Sequence, residues 1–269
     1  MMLKTALADD LRALWCSRRL LALMTRREVS ARFAGSVLGA VWLYIQPLLM
    51  IAVYYLLFDT VFKARVGEGD ASRSVGLHLI AGMLPWMAFS EAVSSGMQSI
   101  VQEGCLLQKN PLPPVLFPAR VVAASIITFL PLIALVALVY ALGQGAGLAL
   151  LALPLLIVGL FALAFLTAYV LALMVAAVRD VQQVAGLFLS LGLFASPVLF
   201  SIEMFPEGLR WLLWLNPMTP VVLGFQHVLL SNAWPESIVW QALFLWLVGL
   251  AALLDRLIAN SRDQLVDWL

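Results

Sequence analysis

The chain has 269 residues, of which 63% are hydrophobic and only 12% charged, and its mean hydropathy of +1.00 lies far outside the range of a water-soluble domain. Its formal net charge of +1 is uninformative as a total, since in such a chain the distribution of Lys and Arg matters and their sum does not, and no nucleic-acid partner is implied. A bilayer core is about 30 Å thick and takes about 20 apolar residues per helix; the expected class is therefore an all-α integral membrane protein, and six transmembrane helices leave room for loops.

Residues 1–32 interleave Leu3, Leu7, Leu11, Leu14 and Leu21 with Arg12, Arg18, Arg19, Arg26 and Arg27. That spacing predicts an N-terminal amphipathic helix, lying in the headgroup plane or packed on a soluble partner. The apolar run after Arg18-Arg19 stops at Thr25-Arg26-Arg27-Glu28, too short for a cleaved targeting segment. A six-span bundle is predicted over 33–254. Its first span, about Val37 to Phe62, contains Pro47, which should kink it. After a polar loop, the second span, about Val75 to Val101, is interrupted by one charge, Glu91.

Residues 102–118 form an ordered loop, because Lys109, Asn110, Pro111, Pro113, Pro114 and Pro118 do not suit a regular spanning helix. No charge occurs between Val121 and Val178, enough for two spans joined at Gly143-Gln144-Gly145-Ala146-Gly147. Arg179-Asp180 makes a tight connection into the fifth span, about Val181 to Ser201. Residues 202–236 are apolar but broken by Pro206, Pro217, Pro220 and Pro235, which predicts short re-entrant helices between spans five and six. The last span is about Ser237 to Leu254, and a polar tail occupies 255–269. The whole of 1–269 reads as one domain.

Of the 16 Lys and Arg residues, twelve fall in the N-terminal segment, the second and fourth loops and the tail, against four in the alternate loops. This bias predicts cytoplasmic termini, Trp211 and Trp214 at the outer interface, and Cys16 and Cys105 on the reducing side, where a disulfide is not expected.

No phosphate-cradling loop ending in Gly-Lys-Ser or Gly-Lys-Thr is present, nor a His-Glu-x-x-His pair, a Gly-x-Ser-x-Gly elbow or a Cys/His cluster. The chain should hold no metal and no cofactor, and carry no catalytic residue; an energy source must be a partner. His78 and His227 read as structural. Glu91, followed by Ser94, Ser95, Gln98 and Gln102, makes one polar stripe that suits either a pathway wall or interhelical hydrogen bonding. Tyr44, Tyr55, Phe58 and Phe62 fall within about 60° of one another on the first span, a stripe that suits stacking on sugar rings or ordinary packing.

The order Arg27-Glu28, Arg32-Phe33, Gly35-Ser36-Val37-Leu38-Gly39-Ala40-Val41-Trp42 and Gln46-Pro47 resembles the start of the first span in permeases of ABC exporters for O-antigen, capsule or teichoic acid chains. Gly82-Met83-Leu84-Pro85-Trp86, Arg179-Asp180, Ser196-Pro197-Val198, Leu215-Asn216-Pro217-Met218 and Asp263-Gln264-Leu265-Val266-Asp267 agree in order, while Ser30 and Phe33 depart from residues frequent in that family. The resemblance implies a permease subunit in the bacterial inner membrane, without its own ATPase site, exporting a lipid-linked polysaccharide. It implies a homodimer with two cytoplasmic ATPase subunits that hold ATP and Mg. Arg27, Arg32, Ser36 and Gly39 would meet the lipid headgroup. Glu103, Gln108, Lys109 and Asn110 in a coupling loop over 102–118 would meet the ATPase, and Trp211, Trp214 and Asn216 would lie at the outer exit. First- and fifth-span residues would line the path, which favours a pathway role for Tyr44, Tyr55, Phe58 and Phe62 beside Glu91, Ser94 and Gln98. The alternatives are a permease for a small amphiphile or drug and a membrane-embedded enzyme acting on lipid-linked sugars; the enzyme would need paired acids or a nucleophile at membrane depth, where only Glu91 is available.

Overall fold

A computed structural model describes residues 6–32, 34–61, 65–66, 73–109, 112–144, 147–262, 264–265 and 268. The N-terminal segment, expected as one helix, is two: α1 (Ala6–Cys16) and α2 (Arg18–Ala31), which meet at Ser17 without losing helical hydrogen bonds. Each half has its own partner. On α1, Asp10 is buried and accepts a 2.7 Å hydrogen bond from the Tyr169 hydroxyl, with an Arg262 nitrogen 3.4 Å away. The Leu7 amide donates to Asp255 at 2.9 Å. α2 instead packs along α7 (Leu116–Gln144). Leu11, Trp15, Leu20 and Leu23 stay exposed beside the arginines, with Arg18 over the Trp15 ring, so the outer face remains amphipathic.

The first predicted span begins as α3 (Trp42–Tyr55), with Pro47 inside it, and continues as a π-helical stretch over Leu56–Val61. Gly35 and Gly39, in the connection from α2, have φ of +81° and +53°, a left-handed backbone that glycine adopts without steric cost. In the polar loop that follows, Arg65–Val66 pairs antiparallel with Arg73–Ser74.

α4 (Val75–Gly96) is the central helix, packed by α3, α7, α8 (Leu153–Ala177) and α11 (Thr219–Leu230). Small residues allow the close approach: a Cβ on Gly96 would lie 2.7 Å from that of Ala168, the kind of contact that replaces hydrophobic collapse between helices in lipid. The second span is therefore shorter than expected. Its last predicted turn is a separate helix, α5 (Ser99–Gln102), and α6 (Gly104–Lys109) lies within the segment expected as a loop.

Pro118, expected outside regular helix, is the third residue of α7. In a first turn its missing N–H costs nothing. The third and fourth spans appear as expected, joined where a Cβ on Gly147 would come 2.2 Å from the Asn232 amide. Helix over Leu116–Gly143, Leu148–Ala177 and Ser237–Ser261 is long and apolar enough to cross a membrane.

α9 (Val181–Gly192) ends well before the fifth span's predicted limit, and turns through 193–200 bury Ser196, Pro197 and Val198. The proline-rich segment expected to be re-entrant contains the single turn α10 (Arg210–Leu213) and α11, of which every residue except His227 is buried. Finally α12 (Ser237–Ser261) runs past Leu254, so the tail expected from 255 begins as helix. Asp255 is half-buried on the α1 amide, which is why a charge there does not end it.

Asp10→Ala would leave the buried Tyr169 hydroxyl without its acceptor and should destabilise the protein by about 1–3 kcal/mol. Arg12→Ala, which removes only an exposed pair to Asp9 at 4.0 Å, should cost less than about 1 kcal/mol. Thermal melts of the two variants in one detergent would compare them.

Candidate functional site

α3, α4, α7 and α9 enclose a cavity of about 800 Å³. From α3 it takes Trp42, Gln46, Met50 and Tyr54, spaced four apart, with Leu43 and Pro47 beside them. From α4 it takes Trp86, Ser90, Glu91 and Ser94; α7 adds Thr128 and Phe129, and α9 adds Gly186, Leu189 and Ser190. Arg32, just beyond α2, reaches into the same wall. The lining is thus aromatic and aliphatic with a few polar groups, the composition of sites that hold an amphipathic ligand.

Local features hold these groups in position. Gly192 lets the edge of the Trp86 ring come close to α9, since a Cβ there would be 2.7 Å from it. Gln226 donates a 2.7 Å hydrogen bond to the Pro197 carbonyl and stands 3.1 Å from the His78 ring, tying α4, α11 and the 193–200 turns together. The Ser90 hydroxyl is buried and has no hydrogen-bond partner among the described residues, so the cavity offers an unused donor.

Glu91 is the electrostatic centre. One of its oxygens accepts from the Arg32 guanidinium and the other from the Ser125 hydroxyl. Arg32 also lies 3.8 Å from Glu28, one turn back on α2. Glu28 is 3.3 Å from Arg120 on α7, and Arg120 reaches Glu103, between α5 and α6, at 3.0 Å. The five groups alternate in sign along one line. A half-buried carboxylate on an apolar helix is costly unless it is paired and hydrogen-bonded, and Arg32 and Ser125 supply both for Glu91.

The structure brings Glu91, Ser94 and Arg32 to the cavity, while Gln98 and Gln102 continue the polar stripe as a ladder, Gln98 donating to the Ser94 carbonyl at 3.5 Å. Tyr44 packs against the main core cluster, Tyr55 is exposed, and Phe58 stacks on Tyr54 at 6.3 Å. The cavity-facing aromatic of this helix turn is Tyr54, about 100° round from Tyr55. Phe62 and Asn110 lie outside the described residues. Arg27 and Glu103 line a second cavity of about 440 Å³ between α2 and the 102–118 segment. Gln108 and Lys109 are exposed on α6, and Ser36 is exposed with Gly39 half-exposed in the α2–α3 connection. Trp211 is exposed; the Trp214 carbonyl accepts from Trp246 at 3.2 Å; Asn216 bonds the Gly192 carbonyl at 3.0 Å. Sequence reasoning passed over Tyr54, Ser90, Ser125 and Thr128. Glu28 and Arg120 were also missed, although Glu28 and Arg32 stand at i and i+4, a readable ion-pair spacing. Trp42, Gln46 and Trp86 belonged to the motifs that carried the resemblance.

These features define a predominantly helical, multi-pass membrane protein with a large amphipathic cavity between its helices. A family model described as ABC-2 type transporter matches residues 19–230, and the chain belongs to that family, a family of transport permeases. It is 28% identical over 261 residues to an O-antigen export system permease protein RfbA of Myxococcus xanthus, covering 95% of this chain and 97% of the relative. Two proteins of Klebsiella pneumoniae carrying the same name are 24% and 22% identical, over 79% and 86% of this chain and 81% and 90% of their own lengths.

Removing either partner of the Arg32–Glu91 pair should cost more than removing both, because a single deletion strands a partly buried charge. Arg32→Met, Glu91→Met and the double variant form a cycle whose coupling should be about 0.5–3 kcal/mol. Melts that add without coupling would show the contact to be energetically idle.

Proposed function

We propose that this chain is the permease subunit of an ATP-driven exporter that passes a lipid-linked polysaccharide, O-antigen or a similar glycan, across the bacterial inner membrane. The observation that carries the reading is the end-to-end alignment, over 95% of this chain, with a relative named as an O-antigen export permease. The cavity supports it: Trp42, Tyr54 and Trp86 offer ring faces to sugars, and Gln46, Ser90 and Ser94 offer hydrogen bonds.

In this reading α3 with its π-helical continuation, α4, α7, α8, α9 with the following turns, and α12 are six spans, and both termini are cytoplasmic. The segment 202–236 dips back from the outer side as the exit, with Trp211, Trp214 and Asn216 near it. Two copies form the conduit, walled by Tyr44, Tyr55, Phe58, Phe62, Glu91, Ser94 and Gln98 together with the cavity residues. Lipid headgroups approach past Arg27, Arg32, Ser36 and Gly39. Two ATPase subunits, holding ATP and Mg, dock on the 102–118 segment at Glu103, Gln108, Lys109 and Asn110, so this chain is no enzyme itself.

Deleting the gene should abolish the long-chain surface polysaccharide ladder on gels, and a plasmid copy should restore it. Tyr54→Ala combined with Trp86→Ala should restore it severalfold less well at equal membrane abundance, while Tyr55→Ala separates the two faces of α3. An intact ladder in the deletion strain, with new sensitivity to amphiphilic drugs, would favour the small-amphiphile permease.

A further inference from the structure

The line of alternating charges joins two cavities. Glu103, Arg120 and Glu28 lie in the wall of the 440 Å³ cavity beside the 102–118 segment, and Arg32 and Glu91 in the wall of the 800 Å³ cavity. The link between them is α2, which carries Glu28 and is followed directly by Arg32. Arg120 is the shared node: it is 8% exposed, holds two carboxylates from different elements, and stacks over Phe117 at 5.5 Å. Its grip on the two sides is unequal. The nitrogen facing Glu103 is at 3.0 Å, whereas Nε, 3.3 Å from Glu28, is buried with no aligned hydrogen-bond acceptor among the described residues. A buried donor left unaligned favours rearrangement towards whichever carboxylate comes closer.

We propose that Arg120 is a positioning residue for transport, which ties the α5–α6 segment to α2 so that a shift of that segment resets the Arg32–Glu91 pair in the wall of the large cavity. Moving Glu103 away releases Arg120 towards Glu28. Glu28 then relaxes its hold on Arg32, and Arg32 engages Glu91 alone or an anionic group of the cargo in its place. The driving displacement comes from the ATPase docked on 102–118, so the proposal rests on the exporter reading above.

The experiment uses the permease–ATPase complex in lipid nanodiscs, with Cys16 and Cys105 replaced by Ser. Bimane labels at Ser190→Cys, in the cavity wall, and at Gln108→Cys, on α6, report emission without nucleotide and with ATP plus vanadate. In the parent both emissions should shift. In Arg120→Met the Gln108→Cys shift should persist and the Ser190→Cys shift should be lost, with Arg120→Lys recovering part of it. Glu28→Gln, which keeps side-chain volume, should also uncouple the two reporters and serves if Arg120→Met does not fold. An undiminished Ser190→Cys shift in these variants overturns the proposal, and loss of both shifts overturns it in favour of a docking role. A parent that hydrolyses no ATP and shifts at neither position overturns the exporter reading itself.

Discussion

A half-buried carboxylate on a mostly apolar helix needs charged or hydrogen-bonding partners, so its position decides which other elements must come near. Glu91 requires a cation and a donor, and it finds them in Arg32, at the end of α2, and Ser125, on α7. That requirement holds α2 against the bundle. Once α2 is fixed there, Glu28 faces Arg120, Arg120 faces Glu103, and the segment carrying α5 and α6 is held beneath the same helices. Packing alone would not select this arrangement, because apolar helices in lipid gain little from one apolar neighbour over another.

A second constraint separates the two halves of the N-terminal segment. Asp10 is buried on Tyr169 and Arg262, which belong to α8 and the end of α12, whereas α2 rests on α7. The junction at Ser17 retains helical hydrogen bonds on both sides, so the halves stay in line while belonging to different parts of the bundle. Movement of α7 relative to α8 would therefore register at Ser17.

The three helices long and apolar enough to cross a membrane were legible in the sequence because their signal is one-dimensional: uncharged stretches of sufficient length bounded by Arg120, Arg179 and Glu236. The shorter elements were less so. α9 stops at Gly192, where Trp86 from another helix occupies the space a side chain would take. α11 is wholly packed by its neighbours, and composition does not distinguish a short buried helix from a re-entrant one. At the site, Glu91 stood out as the one charge in its predicted span, but Glu28 entered only as part of an N-terminal motif and Arg120 only as the edge of an uncharged stretch. Their pairing joins residues far apart in the chain, Arg120 meeting Glu28 only because α2 lies on α7. The aromatic stripe shows the same limit. Periodicity identified α3 as aromatic, yet which side faces the cavity is set by α4 and α9, and Tyr54 with Trp42 takes that place.

The cavity's make-up fits a ligand that must be guided without being held. Ring faces and single hydroxyls give many weak contacts that can be exchanged one at a time, as a repeating sugar chain would need, and deep binding at any one point would slow its passage. The one strong interaction in the wall, Arg32 with Glu91, is internal and neutral as a pair. While it is closed, the wall presents no net charge. Opening it would expose a guanidinium at the level where α2 meets α3, the point in the cavity wall at which an anionic lipid headgroup would gain most from a single ionic contact.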